Sequence, residues 1–180
     1  PSGAAPSILA IEAAGADGLM TRHIARELSA AERVVLIDLT DASPLWSIGM
    51  SELISGDASV GEVIDREENS RLHVITAGRA GPRPVIAAAD LVGLMMQALA
   101  ETYDRVVLAV TAPQDQVALG NLLRQADGAL VIAGHGGNGH AVEVAFRLAE
   151  FDKKPIGVVM GNAPGTGSDQ PSRKSELVEA

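Results

Sequence analysis

The chain has 180 residues, 47% of them apolar, enough to bury one good core and too short for two ordinary domains. A formal net charge of -9 and an aromatic content of 2% argue against nucleic acid as a partner, since phosphate backbones attract basic surface and bases need stacking platforms. The absence of cysteine removes disulfides and thiolate zinc sites, which fits a reducing cytoplasm, and no apolar run approaches the roughly 18 to 20 residues of a membrane span.

Ser7 to Ile11 (SILAI) has too few polar positions for a strand with one wet face and reads as a central strand of a buried, mostly parallel sheet. After a small-residue loop, a helix is expected from Leu19 to Ala31, with Met20, Ile24 and Leu28 on its inner face. Arg33 to Asp38 is a second buried strand ending in an acid. Trp46 to Gly56 and Ser59 to Ile64 read as short helical turns, and Leu72 to Thr76 as a third strand. Gly78 to Pro84 (GRAGPRP), dense in glycine and proline, reads as a loop. From Ala87 to Tyr103 the residues Leu91, Leu94, Met95, Ala98 and Leu99 recur at helical spacing and predict the core-facing side of a helix. Strands at Arg105 to Val110, Ala129 to Ala133 and Ile156 to Met160 alternate with helices reaching to about Gln125 and from His140 to Phe151. The alternation predicts one α/β domain over 1–162, a mainly parallel sheet with helices on both faces. Residues 163–180, rich in Gly, Ser, Pro and mixed charge, are expected to form a flexible tail.

The loop from Ala13 to Thr21 (AAGADGLMT) has the length of a phosphate-binding P-loop and its terminal glycine, Gly18. In that motif backbone N–H groups curl around phosphate, a lysine reaches the outer phosphates and the next hydroxyl holds magnesium. Here Leu19 stands at the lysine position and Met20 at the hydroxyl position. The expectation is a P-loop NTPase-like fold without its catalytic equipment, with a vestigial nucleotide site at Gly15, Asp17, Gly18, Thr21 and Asp38. Leu19 and Met20 would then partly fill the vacated phosphate position. Arg22 could replace the lysine but lies a turn further into the helix, and its simpler reading is a solvated face. Asp38 is either a remnant of function or a strand-end acid capping the next turn.

Other chemistry has weaker support. Gly15, Gly18 and Asp38 sketch a dinucleotide fingerprint but lack one glycine of G-x-G-x-x-G. His135 and His140 flank a glycine-rich turn with no acid or thiol to complete a metal site, so no metal is expected. Ser51 and Thr111 have no His and Asp partners at any motif spacing, and no catalytic residue is assigned.

GMSELISGDASVGEVI (49–64), LHVITAGRAGPRP (72–84) and ETYDRVVLAV (101–110) follow one another in an order and spacing that resembles the cytoplasmic tyrosine-kinase domain of bacterial exopolysaccharide and capsule co-polymerases, a P-loop group related to partitioning ATPases. The resemblance places Ala13 and Gly18 in register with the family's A-x-x-x-x-G-K-S, puts Thr40 on the second acid of its Asp-x-Asp motif after Asp38, and puts Ala109 on its Walker B aspartate. Three lost charge-assisted contacts at about 1.5 to 3 kcal/mol each amount to much of the roughly 8 kcal/mol of a micromolar complex. No cofactor is therefore expected beyond residual weak ATP or ADP binding.

The resemblance implies a catalytically degenerate domain acting by protein interaction in exopolysaccharide biosynthesis or export, in chain-length control or transport. Its partners would be proteins of the polymerisation and export complex, with a homo-oligomer open. It would sit in the cytoplasm at the inner membrane, any membrane segment lying outside this chain. The alternatives are an active ATPase or tyrosine kinase with unusual ligands, or an NAD-binding Rossmann enzyme. The sole tyrosine, Tyr103, is expected to be buried and thus a poor phosphoacceptor.

Overall fold

A computed structural model describes residues 6–13, 19–112, 115–134, 138–151 and 156–160. The residues expected to form the tail lie outside them. The described residues form a seven-stranded sheet from β1 (Ser7–Glu12), β2 (Val34–Leu39), β3 (Asp65–Arg66), β4 (His73–Thr76), β5 (Arg105–Thr111), β6 (Gly128–Ala133) and β7 (Ile156–Met160), in the order β3-β4-β2-β5-β1-β6-β7. Every pairing is parallel except β3 with β4. Seven helices accompany it: α1 (Leu19–Ser29), α2 (Met50–Ser55), α3 (Val60–Val63), α4 (Pro82–Ala87), α5 (Ala89–Leu99), α6 (Gln116–Gln125) and α7 (Asn138–Phe151).

Strands β1, β2 and β5 lie at the centre, and β2 is buried at every position, which is why their sequences run apolar without alternation. Their side chains divide between two cores. Leu9, Ile11, Ile37, Leu108 and Val110 face a large cluster supplied by α2 to α7; Ala10, Leu36, Val107 and Ala109 face a smaller one covered by α1. The single-domain α/β expectation with helices on both faces is met, with α1 alone on its side among the described helices.

Three local expectations change. Pro82 begins α4, so the end of the segment read as a loop is helical. Its proline at the first helical position and Pro84 in the first turn lie where backbone N–H groups have no intrahelical acceptor, so neither interrupts the ladder. The helix expected from Ala87 is split at Ala88, and α5 buries Ala89, Val92, Gly93, Met96 and Leu99. Leu91 and Leu94 are exposed, contrary to the spacing argument. Gly93 lies where α5 approaches α6, and a Cβ there would meet the Gln125 side chain. In α1 likewise the fully buried positions are Thr21, Ala25 and Ser29, with Met20, Ile24 and Leu28 flanking them half-buried.

The turn into β5 is tied to the start of β2. The Arg33 backbone N–H and side-chain Nε and Nη2 donate to Asp104 at 2.9, 3.1 and 2.8 Å. Those bonds hold the Asp104 carboxyl at about 2, below its ordinary 3.8. A carboxylate depressed in the folded state adds stability that is complete above the unfolded value and disappears as pH falls through the folded one. Asp104→Asn is therefore expected to flatten the decline in Tm between about pH 4 and pH 2, and to do so less in high salt because the pair is exposed. Thermal melts across that range at two salt concentrations check it; identical slopes for both proteins would contradict it.

Candidate functional site

The carboxyl ends of the parallel strands are where ligands bind in open α/β sheets, and the side chains there on the α1 face come from four strands. Thr76, Asp38, Ala109 and Ala10 are paired in register across β4, β2, β5 and β1. One step further along β1 stands Glu12, in register with Thr111 of β5. The connection from β1 to α1 that would complete a phosphate loop includes residues 14–18, so Gly15, Asp17 and Gly18 lie outside the described residues, as do His135 and the loop before it joins α7.

Glu12 is the residue that sequence reasoning missed. Its side chain is on the α1 face with an exposure of 2%, and its Oε1 accepts a hydrogen bond from Thr21 Oγ1 at 2.6 Å. The signal was an acid closing an apolar strand, with a hydroxyl nine residues later in the first turn of a helix. Thr21, expected near phosphate, thus bonds a carboxylate of its own chain. Thr21→Val keeps the shape and removes the donor. Losing a hydrogen bond to a buried carboxylate costs about 1.5 to 3 kcal/mol, which denaturant unfolding would resolve; a loss below about 0.5 kcal/mol, the level of a neutral surface change, would contradict this role.

Asp38 is committed locally as well. Its Oδ1 accepts from the backbone N–H and hydroxyl of Thr40 at 3.1 and 2.7 Å, the arrangement of a strand-end acid capping the next turn. Arg22 is no merely solvated side chain: its Nη2 lies 3.6 Å from Asp38 and its Nε 3.8 Å from Glu67 in the β3–β4 hairpin. Arg26 holds the same Glu67 at 2.8 and 2.9 Å, which keeps that carboxyl below its usual range. The basic groups of α1 nearest the site are thereby drawn to side chains of the protein.

The apolar positions behave differently from one another. Leu19, at the first turn of α1, is 65% exposed, and residues 14–18, which would bound the phosphate position it was expected to fill, lie outside the described residues. Met20 packs half-buried on the smaller core. Ala109 is buried in that core between Asp38 and Ala10, with no carboxylate at its level on β5. His140 lies in α7, 3.8 Å from Glu143, and among the described residues no group of three or more His, Asp or Glu is placed to hold a metal.

Strand order also differs from that of the dinucleotide-binding fold. In the Rossmann order 3-2-1-4-5-6 the acid ending the second strand stands beside the first strand and meets a ribose there. Here β5 separates β1 from β2, which puts Asp38 two strand spacings, roughly 10 Å, from β1. A strand inserted between the first two, with a central loop-to-helix connection after β1, defines a P-loop NTPase-like α/β fold.

Solved structures agree with that class. The chimerical protein CapA2B2 superposes with a TM-score of 0.72 at 18% identity, over 89% of this chain and 77% of its own. The kinase domain of the Escherichia coli tyrosine kinase ETK matches with a TM-score of 0.70 at 19% identity, over 85% and 66%. A plasmid partition protein from Borrelia burgdorferi bound to AMPPNP matches at 0.63 and 16%, over 87% and 76%. The resemblance read from the sequence is thus found again in the fold. No protein-family profile matches the sequence, and no curated protein does. Among the described residues no helix is long and apolar enough to cross a membrane.

Proposed function

We propose that this domain serves bacterial exopolysaccharide biosynthesis or export by binding proteins of the assembly complex, without turning over nucleotide. The observation that carries the reading is the state of the strand-end site. Where the fold's nucleotide-binding members need a cation, a hydroxyl and acids, this chain has Leu19, Met20, Thr40 and Ala109, while Glu12 and Asp38 are engaged by Thr21, Thr40 and Arg22. A buried carboxylate at the end of β1 also opposes an incoming phosphate electrostatically. The sequence resemblance to exopolysaccharide co-polymerase kinase domains, with the fold likeness to the ETK kinase domain, supports the polysaccharide-assembly context, and Tyr103, 8% exposed and bonded through its hydroxyl to His73 Nδ1 at 2.6 Å, is poorly placed as a phosphoacceptor. A cytoplasmic position at the inner membrane follows from the same context.

Mg-ATP is accordingly expected to leave the melting temperature unchanged. A ligand at about 100 times its Kd stabilises by roughly 2.7 kcal/mol, about 5 to 11 °C for a chain of this size. A shift of that order with millimolar Mg-ATP would instead establish the competing reading, a working ATPase or kinase with unusual ligands.

A further inference from the structure

The opposite end of the sheet carries a cavity of about 300 Å3 between the starts of β2 and β4 and the turn into β5. Glu32, Arg33, Val34, Arg66, Arg71, His73, Thr102 and Tyr103 line it, and its charges do not cancel. Glu32, the acid among them, is held by Arg105 at 2.8 and 3.2 Å. Arg33 is taken up by Asp104, as described above. Arg66 gives only its Nε to a neutral acceptor, the Ser70 carbonyl, at 3.2 Å. Arg71 has no hydrogen-bond or ion-pair partner among the described residues. Two guanidinium groups with uncancelled charge therefore border one cavity on a chain whose net charge is -9.

The hairpin holds these groups together. Arg66 stands opposite His73 in the antiparallel β3–β4 pair, and the Glu67 N–H donates to the Leu72 carbonyl at 2.9 Å across the same hairpin. Glu67 itself is pinned to α1 by Arg26, which fixes the hairpin against the body of the domain and turns that acid away from the cavity. Inside, the polar His73–Tyr103 pair, with its rings edge to face at 5.6 Å, stands next to apolar Val34. Planar guanidinium forks suit phosphate oxygens, and the imidazole and phenol suit the hydroxyls and carbon faces of a small organic group.

We propose that this cavity binds a small phosphate monoester of sugar-phosphate size, with Arg66 and Arg71 receiving the phosphate and the His73–Tyr103 pair facing the organic part. The site is separate from the strand-end site and does not depend on whether that site binds nucleotide. Titration of the 15N-labelled chain with glucose 1-phosphate tests it, with glucose and inorganic phosphate as parallel arms. The expected result is saturable shifts at the amides of Arg66, Arg71, His73 and Tyr103 with a Kd of about 1 mM or tighter. Phosphate alone should bind at least about tenfold more weakly, and glucose alone should leave the spectrum unchanged. Arg66→Gln with Arg71→Gln should weaken binding at least about tenfold, one decade being about 1.4 kcal/mol. Arg71→Gln alone, at an exposed position with no partner to lose, should weaken it severalfold with the fold intact. No saturable shift, shifts elsewhere, equal affinity for phosphate alone, or unchanged affinity in Arg71→Gln would each overturn the proposal.

Discussion

Leu108→Ala is expected to remove about 3 to 5 kcal/mol of folding stability, a large part of the 5 to 15 kcal/mol typical of a domain. Leu108 is fully buried in the central strand β5, in register with Leu9 of β1 on one side and Ile37 of β2 on the other, all three facing the larger core. Paired strands on both sides prevent the backbone from closing over the missing atoms, so most of the cavity persists and the cost lies toward the upper end of the range. Leu94→Ala in α5 is the matching control. Its side chain is 55% exposed and its loss should stay within about 0.5 kcal/mol. Denaturant melts of the two variants distinguish the observed orientation of α5 from the one its leucine spacing predicts; equal losses would restore the latter.

Gly49→Ala should be nearly as damaging for a different reason. A Cβ at Gly49 would stand 2.6 Å from the Gly78 backbone nitrogen and 2.6 Å from Thr76 Oγ1, and closer still to the Thr76 carbonyl oxygen. Two of these three atoms are backbone, in β4 and the residues just after it, so relief requires moving a strand end rather than rotating a side chain. The same residue begins α2: its N–H donates to Glu52 Oε2 at 2.9 Å, and Ser51 N–H reaches the Ala77 carbonyl at 3.0 Å. Alanine here overpacks that junction at a cost of about 3 kcal/mol, a fall of roughly 6 to 12 °C in Tm for a chain of this length. Gly61→Ala, where an added Cβ meets nothing within 4 Å, serves as the comparison and should leave Tm close to its original value. A Gly49→Ala protein melting with the parent would show that the β4 end yields easily.

The sequence by itself determined the α/β class and the succession of the main strands and helices. Runs such as SILAI and RVVLAV lack polar positions, and a strand without a wet face has to be interior whatever surrounds it. The family resemblance was likewise read from the order and spacing of local motifs. Only the tertiary structure decided which faces of α1 and α5 turn inward, because the buried positions include Thr21, Ala25 and Gly93, whose small size matters only once a partner surface is there. It also decided that β5 lies between β1 and β2, a choice between strands about 70 residues apart that no local pattern encodes. The pairing of Glu12 with Thr21 and of Arg22 with Asp38 belongs to the same class. Hydrogen bonds between side chains on different elements depend on the register and rotation of each element, and those are fixed by packing.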